Sequence, residues 1–402
     1  MTQPLIITPD KPWLAPLAGY SDLPFRLLCR HYGAAVAVTE MVSAKGLFYN
    51  SKASMALLAT HPNLPKISAQ AKKAWHFPHE SVLTGSVLTG SISGGSVLGL
   101  ENKLNSSEAT TTNLTQPINL THPINVDELQ KYNDNPLVVQ LFGAEPEYMG
   151  RAVATLRELG YSYFDCNMGC SVPKVVKAGA GAALLKEPAL ALDVAKAMIN
   201  AASPQTVGFK LRLGWLNGSD TYLDLALALQ DAGAGWITLH PRSAKQAFTG
   251  KADWTALEKL KKVLTIPLIA SGDLLDAQSA VNCVKETGVD SVMFARGAMH
   301  APYIFQDYLQ LLKHGTQAEI NLDDETQAFK TFILNLVERH VRLVQTFMPA
   351  MDSNTASRIA LLKMRTFVPK YVRHFSGVKE LRSRLIKINS WEELFEILSD
   401  KQ

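Results

Sequence analysis

The sequence predicts an α/β protein, a (β/α)8 TIM barrel followed by a smaller all-helical domain. First, eight short β-rich or apolar runs recur over about the first 300 of the 402 residues. Second, helix-length amphipathic stretches with Gly or Pro at their ends separate most of these runs. Third, only helical periodicity follows His314. Eight strands that alternate with helices are typical of a closed parallel barrel.

The elements follow from residue type and apolar period. The predicted strands span 13–17, 36–41, 137–142, 163–167, 207–213, 236–240, 266–270 and 291–295. The predicted helices between them include 146–159, 188–202, 221–232, 254–263 and 276–287, and the C-terminal helices span 325–348, 357–372, 378–387 and 391–398. A doubly wound open sheet is the alternative, but its fingerprint G-x-G-x-x-G does not follow the first strand.

One stretch, residues 66–134, interrupts this spacing. It holds two short tandem repeats, at 81–100 and 114–125, and is rich in Ser, Thr, Gly and Asn. Such a composition cannot bury a core, and an insertion between barrel elements costs little loop-closure entropy. We therefore expect a barrel domain over 1–315 that carries this surface insertion, and a helical domain over 316–402.

Composition excludes several classes of protein. No run of about 18 apolar residues occurs, so no membrane-spanning helix is predicted. The four cysteines, Cys29, Cys166, Cys170 and Cys283, form no spaced disulfide framework and are expected to be thiols. No second pair and no histidine at ligand spacing accompanies Cys166 and Cys170, so no metal site is predicted. We expect a cytoplasmic monomer that associates with no membrane.

Positive charge is concentrated near the end of the chain. Between residues 339 and 387, 11 Lys and Arg stand against two acidic residues, a local net charge of +9. The whole chain carries +4, so the remainder carries −5. A solvated helical face is one interpretation. A phosphate-binding surface is the other, because so large a local excess on a near-neutral body is typical of one.

Polar or reactive side chains follow seven of the eight predicted strands, at the end where barrels place catalytic groups. Lys210 and His240 each end an otherwise apolar run, which favours a functional role. Small residues in 271–273 and 295–297 let backbone N–H groups approach a phosphate, and barrels usually bind one after strands 7 and 8. Arg296 adds charge-assisted hydrogen bonds. These loops predict a phosphorylated ligand.

Cys170 lies beyond the fourth strand, after a glycine, whereas Cys166 falls inside that strand and is expected to be a core residue. An unperturbed thiol, with a pKa of about 8.5, is largely protonated at neutral pH and can donate a proton. A nucleophilic cysteine instead requires a neighbour that lowers its pKa. The residues alone leave both roles open.

Ordered motifs occur along the predicted strands. They are 14–19 with Asp22, 39–41, Gln140, 165–170 with Lys174 and 178–185, 210–215, and His240 with Arg242, Gln246, Gly250 and 253–254. This set resembles the signature of the bacterial-type tRNA-dihydrouridine synthases. The resemblance covers the barrel without its insertion, and weakly the helical tail. It implies an FMN enzyme that reduces the C5–C6 bond of uridine in tRNA, with NADPH or NADH as the reductant.

The resemblance also implies roles for single residues. The general acid would be Cys170, and Asn167 and Arg242 would contact the flipped uracil. The flavin and its phosphate would be held by Pro16, Leu17, Ala18, Gln140, Lys210, His240, Ser271, Gly272, Asp273, Ala295 and Arg296. The expected contacts with the rest of the tRNA are Lys174, Lys177, Arg358, Arg365 and Arg373.

Five positions depart from the family pattern, namely Ser171, Pro173, Pro241, Ser271 and Ala295. The first two alter the loop that carries Cys170 and so bear on its geometry. Two other functions are therefore kept as alternatives. One is an FMN barrel oxidoreductase that acts on a small molecule and leaves the +9 segment unused. The other is an RNA-binding homologue with impaired catalysis.

Overall fold

A closed ring of parallel strands forms the centre of the computed structural model, which describes residues 2–60, 133–218, 220–315, 327–347, 353–373, 375 and 377–399. The strands are β1 (Trp13–Leu14), β2 (Val36–Val38), β3 (Val42–Ser43), β4 (Leu137–Phe142), β5 (Tyr163–Met168), β6 (Val207–Arg212), β7 (Trp236–His240), β8 (Leu268–Ser271) and β9 (Ser291–Phe294). Pairing of β1 with β9 and of β2 with β4 closes the ring, and β3 adds to the end of β4. The predicted barrel is confirmed, and its closure excludes the open sheet.

Helices cover the outside of the ring. They are α1 (Leu23–His31), α2 (Ala44–Phe48), α3 (Lys52–Ala56), α4 (Pro146–Glu158), α5 (Pro173–Lys177), α6 (Pro188–Ala201), α7 (Tyr222–Asp231), α8 (Trp254–Lys261), α9 (Ala277–Thr287), α10 (Arg296–His300) and α11 (Ile304–His314). The five helices predicted here are present, each end within two residues. The prediction did not name α1, α2, α3, α5, α10 or α11. Four of these, α2, α3, α5 and α10, have only five residues, which are too few to show a helical period.

The first two strands end earlier than predicted, at Leu14 and Val38. One more backbone bond to a neighbouring strand follows each of them, from the Ala15 N–H to the Phe294 carbonyl (2.9 Å) and from the Thr39 N–H to the Val138 carbonyl (3.0 Å). Further along, backbone N–H groups donate to side chains. The Leu17 N–H donates to Ser21 Oγ (2.9 Å), and the Gly19 N–H donates to the carboxylate of Glu40. The residues after β1 therefore form a loop held by side chains at the mouth of the barrel.

A helical domain packs against this mouth. Its described helices are α12 (Gln327–Phe347), α13 (Ser353–Tyr371), α14 (Val378–Leu385) and α15 (Trp391–Ser399), so the predicted helical tail is confirmed. α12 packs on α1, and α13 packs on α10. The Phe367 ring lies 5.1 Å from Phe25 and 5.4 Å from Tyr20, and Lys363 forms an ion pair with Asp22. None of the described helices is long and apolar enough to cross a membrane.

The predicted insertion lies outside the described residues except for 133 and 134. Asp134 is fully buried and forms an ion pair with the buried Arg26 at 2.7 Å. Arg26 also donates to the carbonyl of Ala59, and the Thr60 hydroxyl donates to Asp134 at 3.2 Å. One buried pair thus fixes the chain on both sides of residues 61–132, and Asp134 belongs to the barrel.

We expect Asp134→Asn to lower the free energy of unfolding by about 3–5 kcal/mol, because it leaves the buried Arg26 charge without its counterion. Urea denaturation measures the change. The matched control is Glu147→Gln, which removes the exposed partner of Arg151 (2.8 Å) and is expected to cost less than about 1 kcal/mol. Equal losses in the two variants would contradict this account.

Candidate active site

Parallel strands of a barrel end at the same face, and the structure places the predicted cofactor residues there. Gln140 and Lys210 lie two residues before the ends of β4 and β6, and the others lie at or beyond the ends of their strands, namely Pro16, Leu17, Ala18, His240, Ser271, Gly272, Asp273, Ala295 and Arg296. Cys170 and Asn167 lie at the same face, at the end of β5. The site is therefore a single mouth to which seven of the eight ring strands, or the loops after them, contribute.

Three side chains at the ends of β4 and β5 form a line of hydrogen bonds. Gln140 Nε2 donates to Asp165 Oδ2 (2.6 Å), and Asn167 Nδ2 donates to Gln140 Oε1 (2.9 Å). Asn167 Oδ1 then accepts from the backbone N–H groups of Cys170 (2.8 Å) and Gly169 (3.2 Å). Because all three side chains are buried, the line holds the turn of Cys170 in one place.

The turn of Cys170 is also held from two other sides. The Cys170 carbonyl accepts from the Ala182 N–H (2.9 Å), and Arg212 Nε donates to the Gly169 carbonyl (2.9 Å). Gly181 has a φ of +62°, and a Cβ there would lie 2.7 Å from the Cys170 carbonyl oxygen, so only glycine fits. Cys170 itself is half-buried.

Cys166 differs from Cys170 in its surroundings. It is fully buried within β5, and this burial raises the pKa of its thiol well above the ordinary value. Pro173, one of the departures from the family pattern, occupies the first turn of α5, where the missing N–H of proline costs nothing. The exposed Lys174 and Lys177 follow on that helix, next to the turn of Cys170.

Lys210 lies beside Asn167 in the ladder between β5 and β6. Within the described part of the chain, its Nζ makes no hydrogen bond or ion pair. Burial, together with the charge of Arg212, lowers the pKa of Lys210 to about 8, although Asp165 acts in the opposite direction. Burial likewise raises the pKa of Asp165 to about 7. A cation without a partner in a buried site favours a ligand that carries an acceptor or a negative charge.

His240 is 8% exposed and is held between an arginine and a glycine. Its Nε2 lies 3.3 Å from Arg242 Nη1, and a Cβ at Gly272 (φ +103°) would lie 2.5 Å from its Cδ2. Burial lowers the pKa of His240 to about 2, and four nearby cations act in the same direction, namely Lys210, Arg212, Arg242 and Arg296. The imidazole is therefore neutral at physiological pH.

Asp273 joins the loops after β7, β8 and β9. Its carboxylate accepts from Arg242 (2.6 Å), from Arg296 (3.1 Å) and from the Ala252 N–H (2.7 Å). Arg242 is 1% exposed and also donates to the carbonyls of Thr249 and Gly250. A contact between Arg242 and a base would require one of these bonds to be exchanged, so that role stays a prediction.

Two residues near the mouth were not singled out from the sequence. Arg212 donates to the carbonyls of Ser243 (3.0 Å) and Ala247 (2.9 Å) and so ties the loop after β7 to the turn of Cys170. The ring of Phe248 in that loop is 61% exposed, with the guanidinium groups of Arg212 and Arg296 at 5.6 and 5.0 Å. Arg212 could have been found from the sequence, because a charged residue in a predicted buried strand is unusual. Phe248 could not, because a single phenylalanine in a loop indicates nothing by itself.

The predicted tRNA contacts of the helical domain differ in how exposed they are and in what they already bind. Arg358 is exposed. Arg365 donates to the Ile388 carbonyl (2.7 Å) and to Asn389 (3.0 Å), so its guanidinium holds α13 to the start of α15. Arg373 is half-buried near His300 of α10. In the part of the chain that the structure describes, no cluster of His, Cys, Asp and Glu could hold a metal ion.

Comparison with known proteins agrees with this arrangement. The family model described as dihydrouridine synthase (Dus) matches residues 13–73 and 102–401. The chain belongs to the dihydrouridine synthase family. It is 34% identical to "Probable tRNA-dihydrouridine synthase 1" of Synechocystis over 65% of this chain and 69% of that one. It is 29% identical to "tRNA-dihydrouridine synthase B" of Vibrio cholerae (75% and 72%), and 26% identical to "Probable tRNA-dihydrouridine synthase" of Aquifex aeolicus (95% and 97%). The repeats at 81–100 fall between the matched segments.

The neutral His240 makes stability depend on pH. Its pKa is about 2 when folded and about 6.5 ordinarily, so the unfolded chain binds this proton first as the pH falls below about 6.5. Between pH 7.5 and 5 we expect the wild type to lose about 2 kcal/mol more of its unfolding free energy than His240→Gln does. Urea denaturation at both pH values measures this. Parallel losses would show that His240 is protonated in the folded protein.

Proposed function

We propose that this protein reduces uridine in tRNA to 5,6-dihydrouridine, with FMN as its cofactor and NADPH as the reductant. The observation that carries the proposal is the half-buried Cys170, held by Asn167 at the mouth of the barrel beside the unpaired cation of Lys210. Membership of the dihydrouridine synthase family supports the reaction, and the names of the relatives support tRNA as the substrate.

The residues present fit FMN. The unpaired Lys210 would face the acceptor atoms of the flavin ring, and a cation there favours the negative charge of the reduced ring. The Asp273 side chain is turned toward Arg242 and Arg296, which leaves the backbone N–H groups after β8 and β9 for the phosphate. Arg296 is 38% exposed and has donors left for the same phosphate. When bound and reduced by NADPH, FMN supplies the hydride to C6 of the base.

Cys170 would supply the proton that C5 of the uracil needs. Its thiol is half-buried at the mouth, and Lys210 and Arg212 lie near enough to interact with its charge. The base has to leave its stack to reach Cys170, because a base that stays stacked in folded RNA cannot enter the mouth of the barrel.

The helical domain would bind the body of the tRNA. It is fixed to the mouth through Asp22 in the loop after β1 and through α10, so its basic residues lie beside the site. Several of them are exposed and carry charge toward solvent, among them Arg358, Lys379, Arg382 and Lys387. Folded RNA is recognised largely by shape and backbone, which suits such a surface.

The test is an assay of dihydrouridine in tRNA that was transcribed without modifications, using purified protein with FMN and NADPH. We expect Cys170→Ala to reduce product formation by about 10²- to 10⁴-fold, the usual cost of a lost general acid, while NADPH still reduces the flavin. Cys166→Ala is the matched control and is expected to retain activity, because that thiol is a core residue. Loss of activity in both variants, or in Cys166→Ala alone, would show that Cys170 is not the general acid. A wild type that reduces flavin but forms no dihydrouridine would favour one of the other two functions.

The salt dependence of tRNA binding tests the helical domain. Replacing Arg358, Lys379 and Arg382 together with Gln is expected to lower the slope of log K against log salt by about 2 units, at about 0.7–0.9 per phosphate contact. Arg365 is left intact because it holds the helices together. The control replaces three exposed lysines on the outer barrel helices, Lys196, Lys259 and Lys285, and removes the same charge. An equal slope change in both triple variants would refute a dedicated surface.

A further inference from the structure

Three aromatic rings and two cations form an exposed cluster on α2 and α4, which we call the aromatic rim. Its members are Lys45, Phe48, Tyr49, Tyr148 and Arg151. Phe48 is 41% and Tyr49 64% exposed. The centroid of the Phe48 ring lies 5.0 Å from that of Tyr49 and 4.9 Å from that of Tyr148. A single exposed ring is common on protein surfaces, but adjoining rings mark an interaction surface.

The cations hold the rings in place without creating a phosphate site. Lys45 lies 5.4 Å over the ring of Tyr148, and Arg151 lies 5.3 Å over the ring of Phe48. Each cation also has an acidic partner, Glu145 for Lys45 (3.6 Å) and Glu147 for Arg151 (2.8 Å). The rim is therefore close to neutral, and what it offers is ring surface. Such a surface fits a flat, uncharged aromatic group.

The rim lies next to the catalytic mouth. α2 begins three residues after Met41, whose sulfur accepts from Asn167 Nδ2 (3.0 Å). α4 begins four residues after the end of β4, the strand that carries Gln140. The position of a Cβ at Gly179 is 3.3 Å from Ala144 Cβ, so the segment after the exposed Lys174 and Lys177 touches the loop that leads into α4.

We propose that the aromatic rim is a stacking surface for an unpaired tRNA base that flanks the target uridine, an inference that rests on the proposed function. A uridine drawn into the mouth leaves its neighbours without their stacking partner at the entrance. Unpaired bases stack readily on aromatic side chains, whatever their sequence. Lys174 and Lys177 lie just before Gly179, which contacts the loop that leads into α4. Their positive charge suits the phosphates of the same nucleotides.

The test compares Tyr49→Ala/Tyr148→Ala with Tyr49→Phe/Tyr148→Phe. The first variant removes two rings, and the second removes two hydroxyl groups, 3.4 Å apart, but keeps the rings. We expect the alanine pair to weaken tRNA binding by about 5- to 100-fold, the range for stacked bases, and the phenylalanine pair to bind as the wild type does. Ile6→Ala, which shortens a 74% exposed apolar side chain outside the rim, is the control.

A second measurement identifies the base directly. With 2-aminopurine at either neighbour of the uridine that the wild type reduces, we expect stacking to quench the emission at one position. The alanine pair is expected to leave the emission unquenched, with flavin content unchanged.

Unaltered affinity and quenching in the alanine pair would overturn the proposal. So would a wild-type dimer in sedimentation that the alanine pair converts to monomers, because the rim would then join two copies of this chain. Failure of the proposed function is separate, because it shows as a wild type that binds tRNA but forms no dihydrouridine.

Discussion

The hydrogen bonds from Asp165 through Gln140 and Asn167 to the N–H of Cys170 are the interaction on which the rest of the site depends. A carboxyl group this deeply buried requires a donor, and Gln140 provides one, while the charge of Lys210 acts on it through space. The Asn167 side chain accepts from the Cys170 N–H and donates to Gln140. A residue inside the barrel therefore fixes the backbone at Cys170. The turn of Cys170 is thus held by residues of two strands, β4 and β5.

Three arginines organise the opposite side of the mouth. Arg212 and Arg242 hold the loop after β7 by its carbonyl groups, and Arg242 and Arg296 share the carboxylate of Asp273. Burial keeps His240 neutral by lowering its pKa, and the charges of these arginines and of Lys210 act in the same direction. A neutral imidazole can accept one hydrogen bond and donate another. The electrostatics of this side of the mouth therefore suit a negatively charged ligand.

The helical domain contacts the same mouth around Asp22. Asp22 caps α1, by accepting from the Phe25 N–H at 3.1 Å, and it also pairs with Lys363 of α13. The rings of Tyr20 and Phe25 on either side of it pack against Phe367. The loop that follows β1 is therefore part of the predicted cofactor site and also contacts the helical domain.

The sequence by itself determined the fold class, the order of the elements and which residues stand at the mouth. Apolar runs and amphipathic periods are local patterns, so β4, β7 and the five barrel helices could be predicted, and parallel strands bring their C-terminal ends together. It could not show that Arg365 and Arg212 hold backbone carbonyl groups, because an arginine has the same character in a sequence whether it meets a phosphate or a carbonyl group. Only the tertiary structure formed the aromatic rim, whose residues Tyr49 and Tyr148 are 99 positions apart. Their contact depends on how α2 packs against α4, and no local pattern records that packing.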